Sequence, residues 1–298
     1  MRLAMRFSAI FVTCAAFLIA VRADDEAKDL KATVSWLVKH QAANGAFFAA
    51  EPNKEKSPSL RTTSAAVRAL LYLGAEVPRK ADCAKFVVSC FDPASGGFAD
   101  VPGGKPDVFL TSVGIMAVVA LKMPADKYEA GVIKFLTDES KTFEDMRIAV
   151  AGLEALGKPS PMAKEWLTRI RMMQNADGTF GKDLGRARVT GGAAVAMLRL
   201  GGKLHNSDAI VNALKDGQRL NGGYGKEDSE LASDMDSTYR VMRAFVMLKH
   251  RPPDVEGVAS FVLKCRNADG GYCLKPGEAS SIPATYYAAI IRHWLKHK

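Results

Sequence analysis

Cysteine is scarce in this chain. Five occur in 298 residues, and Cys14 lies in an apolar N-terminal run, leaving Cys83, Cys90, Cys265 and Cys273. On a helix Cys83 and Cys90 stand two turns apart, about 10 Å at 1.5 Å per residue, too far to pair with each other. Export would permit disulfides, but this spacing spells out no framework. Long hydrophobic runs are rarer still. The only one, Phe7 to Val21, is too short for a comfortable membrane span. Lysines and arginines outnumber acids by 41 to 32 without forming a dense basic block, so nucleic-acid binding is not supported. Of the five histidines, His293 and His297 share i, i+4 spacing but have no accompanying carboxylate. They read as part of a solvated basic tail with Arg292, Lys296 and Lys298, while His40, His205 and His250 read as surface residues near helix ends. No Ser/His/Asp order and no Cys/His pair stands out as nucleophilic machinery.

The N-terminus carries the layout of a secretory signal. Arg2 and Arg6 precede the apolar run, Val21-Arg22-Ala23 offers small residues at a cleavage position, and Asp24-Asp25-Glu26 follows. Residues 1–23 are therefore assigned as a signal peptide and 24–298 as one domain, secreted or periplasmic, with an uncleaved anchor as the alternative. Cleavage removes three arginines and no acid, leaving a formal charge of +6.

What the chain does have is a repeat. Five turns follow one pattern: Asn44-Gly45-Ala46-Phe47, Ser95-Gly96-Gly97-Phe98, Asp177-Gly178-Thr179-Phe180, Asn221-Gly222-Gly223-Tyr224 and Asp269-Gly270-Gly271-Tyr272. They recur at roughly 40–50 residues, with one double gap filled by a degenerate unit from Ile133 to Gly157. None leads into a helix from a strand or carries a following Lys-Ser/Thr, which excludes phosphate loops. Each is preceded by a helix, such as Phe86–Cys90, Trp166–Met173 or Val258–Cys265, that glycine can terminate in a left-handed C-cap. After each comes a second helix rich in alanine: Ser64–Leu73, Thr111–Leu121, Ala149–Leu156, Gly192–Leu200, Thr238–Leu248 and Thr285–Trp294. The pattern predicts an all-α fold of about six helical hairpins, with the small-residue helices crowding inward as the inner layer of a barrel; an open solenoid is the alternative.

Phe86 through Gly96-Gly97-Phe98-Ala99-Asp100-Val101-Pro102-Gly103 to Asp107-Val108-Phe109 resembles the repeats of protein prenyltransferase β subunits, especially the Rab geranylgeranyltransferase kind. Phe261 through Gly270-Gly271-Tyr272 to Pro276-Gly277 looks like another copy. The resemblance implies an α/α toroid (α6-α6 barrel) with a central apolar cavity for an isoprenoid chain. It also implies a zinc site, with Asp and Cys in an Asp-x-Cys-Tyr motif and a His before a Thr. Here those stretches read Asp236-Ser237-Thr238-Tyr239 and Ala284-Thr285, so one ligand of three remains and no zinc is expected. The family places basic residues six and three positions before that Asp, to meet a diphosphate; Glu230 and Ser233 stand there, in an acidic stretch with Glu227, Asp228, Asp234 and Asp236. Asp145-Met146-Arg147 matches the family's Asp-x-Arg, whose Arg meets the acceptor peptide, and Arg188 falls close to a diphosphate-binding His.

Asp234-Met235-Asp236-Ser237-Thr238 also resembles the Asp-x-Asp-Asp-Thr of squalene–hopene cyclases and other class II terpene cyclases. There the middle Asp is a general acid, which requires a carboxyl held protonated. Asp236, with Asp234 beside it, is the candidate catalytic residue; the alternative is that one of the two caps a helix. Arg147, Arg188, Tyr224, Tyr239 and Tyr287 are the candidate ligand-binding residues, with Phe98, Phe109, Phe180 and Tyr286 as further candidate lining by repeat position. The expected partner is an apolar small molecule or a peptide, without a partner α subunit. The expected activity lies between a non-catalytic binding protein, a cyclase-like enzyme, a divergent prenyltransferase and an interaction scaffold.

Overall fold

The structure, a computed structural model, describes residues 26–49, 57–226 and 233–296. The signal assigned to residues 1–23 and the acids Glu227, Asp228 and Glu230 lie outside the described residues. Among the described residues, twelve α-helices alternate between two layers. The outer helices are α1 (26–39), α3 (Lys80–Ser89), α5 (Asp126–Glu139), α7 (Ala163–Arg171), α9 (Ser207–Asp216) and α11 (Val255–Lys264). The inner ones are α2 (Leu60–Tyr72), α4 (Val108–Ala120), α6 (Phe143–Ala155), α8 (Arg186–Arg199), α10 (Met235–Leu248) and α12 (Ile282–Lys296). Each inner helix packs against the next, and α12 packs back on α2, closing the ring and excluding the open solenoid. No helix among the described residues is long and apolar enough to cross a membrane.

The inner helices begin earlier than apolar periodicity suggests, because polar caps open them. Ser59, Asp107, Thr142 and Asp234 each take an extended backbone conformation and accept a hydrogen bond from the helix's first-turn amides. Thr142 and Asp145 form a reciprocal capping box, so residues 140–142 alone join α5 to α6. That short link accounts for the missing glycine turn of the degenerate unit.

The glycines act differently from the expected C-caps. The outer helices end on right-handed residues, Cys90, Met172, Gly217 and Cys265, and the left-handed glycine comes later, in the reversal that follows. Its purpose is close approach, since each turn sits on the start of the next outer helix. At Gly270 (φ 93°) a Cβ would lie 2.7 Å from the Ala32 carbonyl oxygen of α1. This last turn therefore closes the outer layer as α12 closes the inner one. Trp36 Nε1 donates to Asp269 at 3.0 Å, and Arg266 pairs with Asp29 at 3.1 Å across the same seam. Arg292 and Lys296, read as solvated tail, belong to α12 and both pair with Glu26 of α1. His40 is likewise buried, bonded to the Trp36 carbonyl at 2.8 Å.

One threonine per repeat fastens turn to inner helix. The amides of Phe47, Phe98, Phe180, Tyr224 and Tyr272 donate to the hydroxyls of Thr63, Thr111, Thr190, Thr238 and Thr285, all at 2.9–3.0 Å. These contacts set every inner helix they reach starting at the same end of the ring and hold the turn aromatics between the layers. All ten residues are buried. Thr285→Val keeps the shape but leaves the Tyr272 amide without an acceptor, at an expected cost of about 1–3 kcal/mol. The shift of the urea unfolding midpoint at constant slope checks it; an unchanged midpoint means that the hydroxyl does not fasten the turn.

Candidate functional site

A cavity of about 470 Å³ occupies the centre of the ring, within the range of about 300–1,000 Å³ typical of small-molecule sites. Its wall follows the threonine register. The residues two positions past each fastening threonine, Ala65, Val113, Gly192, Arg240 and Tyr287, all line it, as helical periodicity requires of one face. Apolar wall comes also from Met116, Ile148, Ala151 and Val195. Tyr239 stacks between Tyr287 (4.7 Å between centroids, 27°) and Trp294 (5.9 Å, 13°), making an aromatic ladder along α10 and α12.

The wall is also rich in arginine. Near the end where the inner helices start, a chain of alternating charges crosses three of them. Arg188 (α8) donates to Asp236 at 2.8 Å, and Arg240 donates to Asp236 at 3.2 Å and to Glu144 (α6) at 3.1 Å. Arg147 completes the chain with Glu144 at 2.9 Å. Farther along the helices Arg199 pairs with Glu154 at 2.8 Å. Arg68 and Arg243, five positions past Thr63 and Thr238, have no carboxylate partner among the described residues. Arg68 donates to the Tyr286 hydroxyl at 3.1 Å and lies 4.4 Å from its ring centroid; Arg243 donates to the Tyr239 hydroxyl at 2.8 Å. The two phenol oxygens stand 3.5 Å apart. Burial alone would raise the Tyr239 pKa, but Arg243, the Tyr286 hydrogen bond, Arg68 and Arg199 together hold it down to about 8.

Five of the sequence-derived site residues meet here: Asp236, Arg147, Arg188, Tyr239 and Tyr287. Asp236 does not have the environment of a proton donor. Burial would raise its pKa, but Arg240 and Arg188 outweigh burial and hold the carboxyl below its ordinary value, hence ionised. Asp234 lies off the cavity and is the helix cap, accepting from the Ser237 amide at 2.7 Å and the Ser237 hydroxyl at 2.8 Å. Tyr224 is fully buried between the layers, as are Phe98 and Phe180, because each fastened amide fixes its ring there. Phe109 and Tyr286 do line the cavity.

The residues at the zinc-motif positions do not fit that metal. Both Asp236 oxygens are held by guanidinium groups. The Thr238 hydroxyl accepts from the Tyr224 amide at 3.0 Å and donates to the Asp234 carbonyl at 2.8 Å. Ala284 offers no donor atom. What sequence reading missed is the arginine pair. Arg68 and Arg243 each lie five positions past a fastening threonine, Thr63 and Thr238, so a shared register on the inward face was the available signal.

Comparison with known proteins agrees with this architecture. Among solved structures, Candida albicans protein geranylgeranyltransferase-I complexed with GGPP superposes with a TM-score of 0.65 at 13% identity, covering 80% of this chain and 84% of that one. The type II terpene cyclase MstE_R337A from Scytonema, in complex with its substrate geranylgeranyl dihydroxybenzoate, gives 0.61 at 10% identity, covering 91% and 96%. A protein from Actinoplanes gives 0.61 at 12% identity, covering 91% and 99%. At these identities the likeness shows the fold alone. No curated protein matches the chain. The profile of the prenyltransferase alpha-alpha toroid domain matches residues 4–82, 75–146 and 133–296. With nearly its whole length matched in three overlapping segments, the chain belongs to the prenyltransferase alpha-alpha toroid domain family.

Proposed function

We propose that this chain is an exported binding protein that holds an elongated apolar ligand of the isoprenoid class in the cavity of its ring, without zinc-dependent prenyl transfer and without a partner subunit. The observation that carries this reading is the central cavity, whose wall combines the stacked Tyr239–Tyr287 pair, backed by Trp294, with small aliphatic side chains. Aromatic faces supply large apolar contact area at fixed geometry, which suits an unsaturated hydrocarbon. The solved neighbours support the ligand class, one being complexed with GGPP and the other with geranylgeranyl dihydroxybenzoate. The absence of transfer rests on the ligand positions, where an arginine-clamped carboxylate, a fastened hydroxyl and an alanine stand. The cyclase-like reading is disfavoured by the ionised state of Asp236, since protonating an alkene needs the neutral acid.

Native mass spectrometry of residues 24–298 with geranylgeraniol tests the proposal. One alcohol per chain is expected, displaced by no added metal and requiring none. If neither the added alcohol nor any co-purified lipid is found bound, the isoprenoid reading falls, leaving the ring as a protein-interaction scaffold. Recovery of a mature N-terminus at Asp24 from the exported fraction is the matching result for the signal; full-length protein held in membranes overturns it.

A further inference from the structure

We infer that the ligand of this cavity is an amphiphile whose anionic head, a carboxylate, binds between Arg68 and Arg243, with its apolar body against the aliphatic wall of Ala65, Val113, Ile148, Ala151 and Val195. This deepens the binding reading above and rests on it, since it names the chemistry of the ligand's head and the side chains that hold it.

Ion pairing divides the cavity into two tiers. In the upper tier three arginines, Arg188, Arg240 and Arg147, share two carboxylates, Asp236 and Glu144, so that each guanidinium has an anionic partner. About two turns farther along α10, from Asp236 to Arg243, that pairing fails. Arg199 has Glu154, but at neutral pH, below the Tyr239 pKa, Arg68 and Arg243 find among the described residues only uncharged partners: phenols, the Trp294 ring, the Ser64 carbonyl at 3.1 Å and the Met116 sulfur at 3.3 Å. Arg243 Nε is enclosed and has no hydrogen-bond partner among the described residues. A desolvated guanidinium so placed is costly unless a counter-charge reaches it.

The phenols between the two arginines repeat the deficit. In the chain Arg68–Tyr286–Tyr239–Arg243 each phenol oxygen already accepts from a guanidinium. The two hydroxyls contribute two hydrogens, and the 3.5 Å contact between them uses one. The other O–H has no acceptor among the described residues. Two surplus cations, an unpartnered Nε and a spare hydroxyl therefore converge on one place, and every unmet group there is a donor. An oxyanion is the complement, because it accepts several hydrogen bonds and supplies the missing charge. A neutral hydroxyl head would supply none.

The test compares two ligands with the same chain, geranylgeranoic acid and geranylgeraniol, titrated against residues 24–298 by intrinsic tryptophan fluorescence and checked by native mass spectrometry. The acid is expected to bind at least about tenfold tighter. Arg68→Met and Arg243→Met should each remove most of that advantage, with far-ultraviolet circular dichroism and the melting transition reporting that each variant has folded. Arg243→Lys should keep part of it, and Arg186→Met, at a position that lies off the cavity and pairs with Asp177, should keep it all. Equal binding of acid and alcohol overturns the anionic head and spares the apolar site. An acid advantage that survives both methionine variants places the head elsewhere and overturns the assignment. If neither ligand binds, the binding reading fails and this inference with it.

Discussion

Asp236→Asn lowers the melting temperature of the protein by roughly 5 °C or more, even if no ligand is ever turned over. Among the described residues Asp236 is the only carboxylate that Arg188 meets, and one of two that Arg240 meets. The three side chains are 15–21% exposed, so solvent screens them only in part. Removing one partner of a buried pair costs about 3–5 kcal/mol, and discounting for this partial exposure leaves about 2–4 kcal/mol. For a domain of this size that corresponds to a drop of several degrees. The pH dependence follows from the direction of the shift. The folded pKa of Asp236 lies below its unfolded value, so its contribution is complete above the ordinary carboxylate range and is lost as the pH falls through the depressed value. In the Asp236→Asn variant that part of the acid loss is absent, and the gap between the two proteins narrows at low pH. Should the substitution leave the melting temperature unchanged and abolish a measurable turnover, Asp236 would be a proton donor after all.

Gly222→Ala prevents folding or costs more than about 4 kcal/mol, whereas Gly277→Ala costs about 1–2 kcal/mol. The two glycines have nearly the same backbone conformation, with φ of 88° and 91°. Their surroundings differ. A Cβ at Gly222 would lie 2.0 Å from the carbonyl oxygen of Gly257 and 2.2 Å from its carbon, whereas at Gly277 nothing lies within 4 Å. The shared left-handed conformation sets the smaller cost. The remainder at Gly222 comes from pushing the turn off α11, where Gln218 also holds the Asp254 backbone by bonds of 2.7 and 2.8 Å. Soluble yield and the denaturant midpoints of the two variants check the difference. Equal losses would mean that conformation alone explains the glycine and that the turn does not bear on the helix.

The fold was readable because its signals are local. A glycine-aromatic turn and a following helix of small residues can be recognised within a single repeat, and their recurrence supplied the ring. The aromatics were misplaced although their determinant is also local. The direction of Phe98, Phe180 and Tyr224 is decided by a threonine 10–14 residues onward in the same repeat, whose hydroxyl meets the turn amide only once turn and helix have packed. The site was legible only where a motif marked it. Asp236 was found, but its state depends on Arg188, 48 residues away, and on a network reaching Glu144, which lies 96 residues from Arg240. Arg68 and Arg243 belong to no motif. Arg243 meets Tyr239 through i, i+4 spacing on α10, but only closure of the ring brings Arg68 to Tyr286, 218 residues away, and so joins the two arginines through the phenols.

The seam where the Gly270 turn lands on α1 bears on how the molecule comes apart. In a linear stack of hairpins the end units have one neighbour each, and unfolding starts there by fraying. This ring gives every hairpin two neighbours, so loosening any one of them exposes two interfaces at once instead of one. The cheap first step of a linear array is missing, and partial opening is penalised all the way round. Loss of structure is then a concerted event, with the many weak hairpin contacts acting as a single lock.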